Sequence, residues 1–228
     1  GKLPKSPGDA GSETSRLLID FTKKSREILE DHPVNVKRRR QGGLPGNCAW
    51  FWGPGHKPRL ESFKDRYGLE GCLISAVDLL KGLAKYVGLK SIDVEGATGY
   101  IDTNYVGKAE AALKCLSASD FVYLHIESTD EAGHEGSIEH KVAALEDIDE
   151  KVLGTLLSGL SGEFRIAVLP DHATPIEVRS HVDDPVPYAV YDSTDGADHA
   201  CCFTEKEIKE KGGLGLREGF DFMGFFLS

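Results

Sequence analysis

The sequence lacks the features that would place the chain in a membrane or on nucleic acid. No apolar run in its 228 residues reaches the length of a bilayer span, and no segment resembles a signal peptide. Positive charge is also scarce, because 27 lysines and arginines stand against 37 aspartates and glutamates, which leaves a net charge of −10. Such a surface repels the phosphates of nucleic acids and of anionic lipids. We therefore expect neither as a partner.

Cysteine is sparse and irregularly placed. The chain has five cysteines, and none of them forms a CxxC pair. This arrangement lacks the spacing typical of zinc sites and of thioredoxin-like redox motifs. An odd number of scattered cysteines favours reduced thiols in a cytoplasm. The five residues are Cys48, Cys72, Cys115, Cys201 and Cys202.

Strand-like segments alternate with amphipathic segments of helical length. This alternation predicts an α/β fold with a mostly parallel sheet flanked by helices. A basic, glycine-rich connector over residues 34–46 indicates a boundary between a first part, 1–46, and a second part, 47–228. The predicted helices cover 13–30, 78–87, 103–116 and 137–157, and the predicted strands cover 48–52, 73–77, 92–94, 121–126, 164–169 and 186–191.

The last predicted strand is expected to run against its neighbours. The connection that leads to 186–191 contains only the short, proline-interrupted segment 173–180 between 164–169 and His181. A parallel crossover usually needs a dozen or more residues built around a helix, whereas an antiparallel return needs few. We therefore predict that 186–191 runs antiparallel to 121–126 and to 164–169.

Asp130 and His134 are the first candidates for a metal site. They follow the apolar run 121–126, which is long enough for a strand buried on both faces. Their spacing of four residues lets both side chains face the same way on a helical turn. A carboxylate and an imidazole together suit a divalent cation. Alone, however, this spacing occurs by chance in many helices.

Two later segments offer the same chemistry. Asp171 and His172 directly follow 164–169, and His181 lies shortly after them. Ligands in parallel α/β folds bind at the carboxyl ends of the strands, so these side chains are expected at the same rim as Asp130. An N-cap beside a turn histidine, or a surface histidine, would explain each piece separately. The coincidence of all the pieces favours a metal site.

At these motifs the sequence resembles the alkaline phosphatase superfamily and, more narrowly, the archaeal-type branch of the cofactor-independent phosphoglycerate mutases. The resemblance runs from about residue 15 to the end of the chain. It implies an alkaline phosphatase-like core. The matching segments are Asp130–His134, Pro170–Pro175, His181–Pro187, Asp31–Pro33, Arg38–Arg40, Glu95–Gly99 and Lys211–Gly215.

The resemblance implies a site with two divalent metal ions, for which manganese is the first expectation and zinc, cobalt and magnesium are alternatives. Asp130, His134 and His181 would hold one ion. Asp171 and His172 would hold the other, together with an aspartate and a nucleophilic serine.

The resemblance also implies residues that bind the substrate. Lys81 matches a helical lysine that touches the substrate near the metals, and Arg38, Arg39 and Arg40 match substrate-binding arginines. A solvated helix lysine is an equal alternative for Lys81. A solvated basic face is the alternative for the arginines.

The implied activity is the interconversion of 2- and 3-phosphoglycerate through a phosphoserine, in the cytoplasm, with an oligomer left open. Family members are considerably longer, and their nucleophile lies near the N-terminus. Nothing before Cys48 matches that unit. We therefore expect this chain to begin inside the inserted substrate-binding domain of the family and to be inactive alone. A phosphatase or phosphopentomutase of the same superfamily, or a catalytically silent metal-binding domain, are the alternatives.

Overall fold

The structure is a computed structural model that describes residues 12–51, 55–195 and 200–228. The chain divides into two units, residues 1–58 and residues 59–228. The assignment of the first part to an inserted substrate-binding domain stays a prediction.

The described residues of the first unit contain two helices, α1 (Glu13–Glu30) and α2 (Pro33–Arg40). The helix α2 begins because the His32 side chain accepts a hydrogen bond from the Val34 amide at 3.3 Å and because proline occupies the first helical position. The prediction of an irregular basic connector is therefore wrong for residues 34–40. The glycines at 42 and 43 end the helix but do not prevent it.

The strand predicted over 48–52 is also wrong for residues 48–51, which form no regular structure. Trp52 lies outside the described residues. The backbone here is bound by side chains of the two helices and not by a neighbouring strand. Asn35 bonds the amide and the carbonyl of Gly46 at 2.9 and 2.8 Å, and the Ala49 amide donates to Ser25 Oγ at 2.8 Å.

The second unit is built on a parallel sheet with strand order β2-β1-β3. Cys72 in β1 lies opposite Lys90 in β2 and Val122 in β3. A helix connects each strand to the next parallel one, which confirms the predicted α/β class. The elements are β1 (Gly71–Ile74), α4 (Asp78–Val87), β2 (Lys90–Ile92), α5 (Tyr105–Leu116) and β3 (Phe121–Leu124), and α3 (Phe63–Tyr67) precedes them.

The doubly buried strand is β1 and not β3. All four residues of β1 are buried, since this strand lies between the other two. Among the described strands β3 pairs with β1 alone, and Tyr123 in its middle is 41% exposed. The prediction of burial on both faces over 121–126 is therefore wrong for this chain.

A separate antiparallel pair consists of β4 (Arg165–Val168) and β5 (Ala189–Asp192). Arg165 lies opposite Asp192, and Val168 lies opposite Ala189. This pairing confirms the predicted antiparallel strand relative to 164–169. The orientation relative to 121–126 stays a prediction, because β3 and β4 do not pair in the described sheets.

The remaining helices follow β3 and extend to the C-terminal region. Tyr105, Ala109 and Val152 form a buried cluster in which α5 packs against the helical segment that follows α7. In the described part of the chain, no helix is long and apolar enough to cross a bilayer. The helices are α6 (Ser128–Glu135), α7 (Ile138–Asp147), a π-helical turn (Ile148–Leu153), α8 (Gly154–Gly159), α9 (Glu205–Lys211), a 3₁₀ turn (Gly219–Asp221) and α10 (Phe222–Phe226).

Two of the five cysteines form a disulfide, so the prediction of five reduced thiols is wrong. Cys72 in β1 bonds Cys115 in α5, with 6.5 Å between the two Cα atoms. The helix α5 packs on β1 and brings the second cysteine over the first. The two residues are 43 positions apart, and their spacing matches no motif.

Candidate metal centre

The helix α6 carries the first two candidate ligands. Asp130 and His134 are one turn apart, and Asp130 Oδ2 lies 3.3 Å from His134 Nε2. The helix directly follows β3, so its first turn lies at the carboxyl end of the parallel sheet. It ends at Gly136, whose left-handed backbone caps the last turn. The predicted spacing thus places both side chains on one face.

The segment 170–182 brings the third candidate ligand to the same point. His181 Nε2 lies 3.4 Å from Asp130 Oδ1 and 3.1 Å from His134 Nε2. An isolated antiparallel bridge between Ala173 and Val182 folds this segment back on itself. One potential ligand atom from each of Asp130, His134 and His181 lies within 4.8 Å of the other two.

The hydrogen bond of His134 decides which of its nitrogens can bind a metal. His134 Nδ1 lies 3.0 Å from the carbonyl oxygen of Arg179. A carbonyl can only accept, so Nδ1 carries the hydrogen and Nε2 of the neutral ring has a free lone pair. This nitrogen faces Asp130 Oδ2 and His181 Nε2. A proton on His181 would satisfy one of these contacts, whereas a divalent cation would satisfy all of them. The donor set therefore fits a metal ion.

Thr174 contacts two of the candidate ligands, Asp130 and His172, and the sequence alone does not indicate it. Its buried hydroxyl donates to Asp130 Oδ1, and it also lies 3.3 Å from His172 Nδ1. Since its one hydrogen goes to the carboxylate, the hydroxyl accepts from His172 Nδ1–H. His172 Nε2 is then left with its lone pair. Gly133 allows the close approach, because a Cβ there would lie only 2.5 Å from the Thr174 carbonyl oxygen.

The second predicted pair lies beside the first three ligands. His172 Nε2 lies 3.4 Å from Asp171 Oδ2, and the His172 ring stacks on that of His181 with 3.7 Å between centroids. Asp171 is 64% exposed. Among the described residues, these two do not form a further group of three or more converging donors. A second metal at Asp171 and His172 stays a prediction.

The predicted substrate-binding residues lie on other elements. Lys81 is on α4, where its Nζ pairs with Asp93 Oδ1 at 2.7 Å. The three arginines are on α2 in the first unit, where Arg39 contacts Glu30. Their roles toward a substrate stay predictions.

Two titratable groups at the end of β3 were also missed by sequence reasoning. Burial lowers the pKa of His125, although the nearby carboxylate of Asp171 opposes this effect. His125 Nδ1 lies 3.2 Å from the buried hydroxyl of Ser75, at the end of β1. Burial raises the pKa of Glu127, and the carboxylates of Glu131 and Asp130 add to this rise. The available signal was their position, with His125 inside the otherwise apolar run 121–126 and Glu127 directly after it.

Comparison with known families gives a match over almost the whole chain. The family model described as the metalloenzyme superfamily matches residues 5–227.

Curated relatives carry one recurring description. The 2,3-bisphosphoglycerate-independent phosphoglycerate mutase of Methanothrix thermoacetophila is 48% identical over 219 residues, which cover 95% of this chain and 56% of that protein. The probable mutase of the same description from Geobacter sulfurreducens is 42% identical over 227 residues, covering 99% of this chain and 55% of that protein. The chain thus spans about half the length of these relatives.

Solved structures show a similar fold. A protein of Pyrococcus horikoshii superposes with a TM-score of 0.85 at 34% identity, over 95% of this chain and 57% of the other. The cofactor-independent phosphoglycerate mutase of Thermoplasma acidophilum superposes with a TM-score of 0.56 at 26% identity, over 96% of this chain and 52% of the other.

Proposed function

The chain belongs to the metalloenzyme superfamily, and we propose that it supplies the metal-binding part of a cofactor-independent phosphoglycerate mutase. The substrate class would be 2- and 3-phosphoglycerate. Support comes from the curated relatives that carry this description and match 95% or more of the chain. The serine that would carry the phosphoryl group is expected in the part of the relatives' length that this chain does not match.

The observation that carries the proposal is the orientation of His134. Its Nδ1–H donates to the Arg179 carbonyl, which directs the Nε2 lone pair at the carboxylate of Asp130 and at His181. Phosphoryl transfer needs charge neutralised on the moving group and an activated oxygen nucleophile, and a bound divalent cation supplies both. The role of Asp130, His134 and His181 is to hold that ion, and Thr174 holds Asp130 through its hydroxyl.

Manganese is the proposed ion, because the resemblance makes it the first expectation. The ligands, one carboxylate and two imidazoles, also suit zinc or cobalt. Asp171 and His172 are the proposed partial site for a second ion. They lack the further ligands that the resemblance implies. Lys81 is the proposed substrate contact near the metals, and Arg38, Arg39 and Arg40 are proposed to bind the substrate.

The cytoplasm is the proposed location. It followed from the scattered thiols, and the Cys72–Cys115 disulfide removes two of the five on which that expectation rested. Stable disulfides are rare in that compartment. Quantifying free thiols in the chain purified without reductant tests the location, because five free thiols would favour the cytoplasm and three would not.

Metal titration tests the site directly. Calorimetric titration of this chain with Mn²⁺, and separately with Zn²⁺, should show one tight site, because three of the proposed ligands converge and two do not. Two equally tight sites would contradict the division between the triad and the pair. No tight site at all would remove the proposed metal centre.

Activity is tested on a protein that joins this chain to the part the relatives have in addition. It should interconvert 2- and 3-phosphoglycerate when manganese is added, whereas this chain alone should not. A substrate panel containing ribose 1-phosphate and p-nitrophenyl phosphate separates the mutase from a phosphopentomutase and from a phosphatase. Metal binding without turnover of any substrate would indicate a catalytically silent domain.

A further inference from the structure

We propose that Tyr105 and Lys108 of α5 are positioning residues of the metal centre. They hold the start of α6, and this helix carries both Asp130 and His134. The inference rests on the proposed function only through its metal site, and its test needs no substrate.

The helix α6 does not fix its own start. Its N-cap residue is Glu127, whose side chain makes no capping hydrogen bond. The amides of Asp130 and Glu131 donate to the Glu127 carbonyl at 2.9 and 3.1 Å, so the first turn depends on what holds Glu127 and Ser128 in place. Such a turn is free to fray unless a neighbouring element holds it. Asp130 lies in this turn, so any fraying displaces a ligand.

Tyr105 supplies one of the contacts that hold the turn. Its hydroxyl donates to Ser128 Oγ at 2.8 Å, and Ser128 is the first residue of α6. Both side chains are almost completely buried, with 3% and 1% exposure. The Tyr105 ring packs with Ala109 and Val152 in the core cluster, so the position of its hydroxyl is fixed by this packing. Breaking this bond would leave a buried hydroxyl unsatisfied.

Lys108 binds the loop that lies beside the N-cap of α6, one turn further along α5. It is 1% exposed, and its Nζ donates to the Thr98 carbonyl at 3.4 Å. The next residue, Gly99, lies against the Glu127 carboxylate so closely that a Cβ there would overlap Oε2. The buried ammonium thus holds the loop against which the N-cap residue of α6 packs.

A role in packing alone does not explain this lysine. Burying an ammonium group is costly, and a methionine of similar length would fill the same volume without that cost. The ammonium donates to the carbonyl of Thr98, a hydrogen bond that a methionine could not make, and the adjoining Gly99 packs on the N-cap residue of α6.

The test compares two variants of α5 with two matched controls. Tyr105→Phe removes one oxygen, and Lys108→Met removes the charge at similar volume. Tyr191→Phe on β5 and Lys114→Met on the exposed face of α5 make the same chemical changes where they face solvent. Mn²⁺ affinity is measured from the loss of the free-ion electron paramagnetic resonance signal. The spectrum of the bound ion and the thermal midpoint of the metal-free chain are recorded for each variant.

We expect Tyr105→Phe and Lys108→Met to weaken Mn²⁺ binding by about tenfold, the lower end of the effect of residues that orient metal ligands. The bound-ion spectrum should change, and both controls should match the parent chain. A lowered thermal midpoint with unchanged affinity and spectrum would mean a purely structural role and would overturn the inference. If Lys108→Met does not fold, Tyr105→Phe decides alone. Absence of Mn²⁺ binding by the parent chain would overturn the metal centre itself and the inference with it.

Discussion

The two halves of the metal centre are held in different ways. The helix half consists of Asp130 and His134 on α6, and the loop half consists of Asp171, His172 and His181 on the segment 170–182. The first turn of the helix half is contacted by the buried Tyr105 hydroxyl of α5, which donates to Ser128 Oγ. The loop half is folded back by an isolated bridge, and two of its proposed ligands are half-exposed or more, at 64% for Asp171 and 52% for His181.

This difference separates two tasks. The helix half is expected to define where an ion would bind, because its donors already converge. The loop half is expected to complete the coordination, and its ordering should depend more on the ion itself. The contacts that join the halves are the Thr174 hydroxyl on Asp130 and the Arg179 carbonyl on His134. Each prediction below changes one half or a joint between them.

The largest effect is expected for Asp130→Asn. Asp130 lies within 4.0 Å of three histidines and accepts from Thr174, so it is the charged centre of both halves. We expect Mn²⁺ affinity to fall by more than about 100-fold, beyond the loss typical of residues that only orient ligands. Glu135→Gln is the control, since this carboxylate on α6 pairs with His140 at 2.8 Å. Calorimetric titration measures both, and a loss of less than tenfold for Asp130→Asn would contradict its central place.

The comparison of His134→Gln with His181→Gln tests the two halves directly. Both remove one imidazole, but His134 is oriented by the Arg179 carbonyl and by its helix, while His181 is more exposed, at 52% against 37%. We expect His134→Gln to weaken Mn²⁺ binding about tenfold more than His181→Gln, because a preorganised ligand binds without an ordering cost. Equal losses in the titration would show that the two halves are equally organised.

Sequence reasoning reached the helix half because its signal is local. Asp130 and His134 stand four residues apart, and such a spacing places them together in any helix. The antiparallel β5 was also predictable, because the connection before it is too short for a crossover. The loop half was predictable at the same rim, because Asp171 and His172 directly follow a strand and His181 comes shortly after them, and the resemblance added which residues would share an ion.

The missed features all depend on tertiary contacts or on competing local signals. Thr174 meets Asp130 across 44 residues, and Cys72 meets Cys115 across 43, so no window of sequence contains either pair. The helix α2 carries competing local signals. The glycines after it indicate a linker, whereas Pro33 is favourable at a helix start.

A smaller effect is expected at Arg179, which joins the halves through its main chain. Its backbone is left-handed, with φ of 55°, which is unfavourable for a residue with a Cβ. Arg179→Gly and Arg179→Ala both remove the guanidinium and keep the carbonyl that accepts from His134. We expect the glycine variant to exceed the alanine variant by about 1 kcal/mol in free energy of unfolding, although glycine also loses more chain entropy.

Urea denaturation of the two Arg179 variants measures this difference. Their Mn²⁺ affinities should stay close to that of the parent chain, because the contact with His134 does not involve the side chain. A glycine variant that is less stable than the alanine variant would contradict the assignment of strain to this residue.

The smallest effect is expected at the base of the loop half, where β4 and β5 pair. Asp192 accepts from the hydroxyl and the amide of Thr194 and from Arg165 Nε at 2.8 Å, and these contacts lower the pKa of Asp192 to about 2. A carboxylate with a lowered pKa stabilises the fold above its unfolded value near 3.8, and this contribution disappears as the pH falls through about 2. Asp192 is partly exposed, and solvent screens its charge, so the effect on stability is modest.

We expect Asp192→Asn to lower the thermal midpoint at pH 7 and to make little difference at about pH 2, with Arg165→Met as the partner control. A deficit of the same size at both pH values would show that the ionised carboxylate does not stabilise this pair of strands.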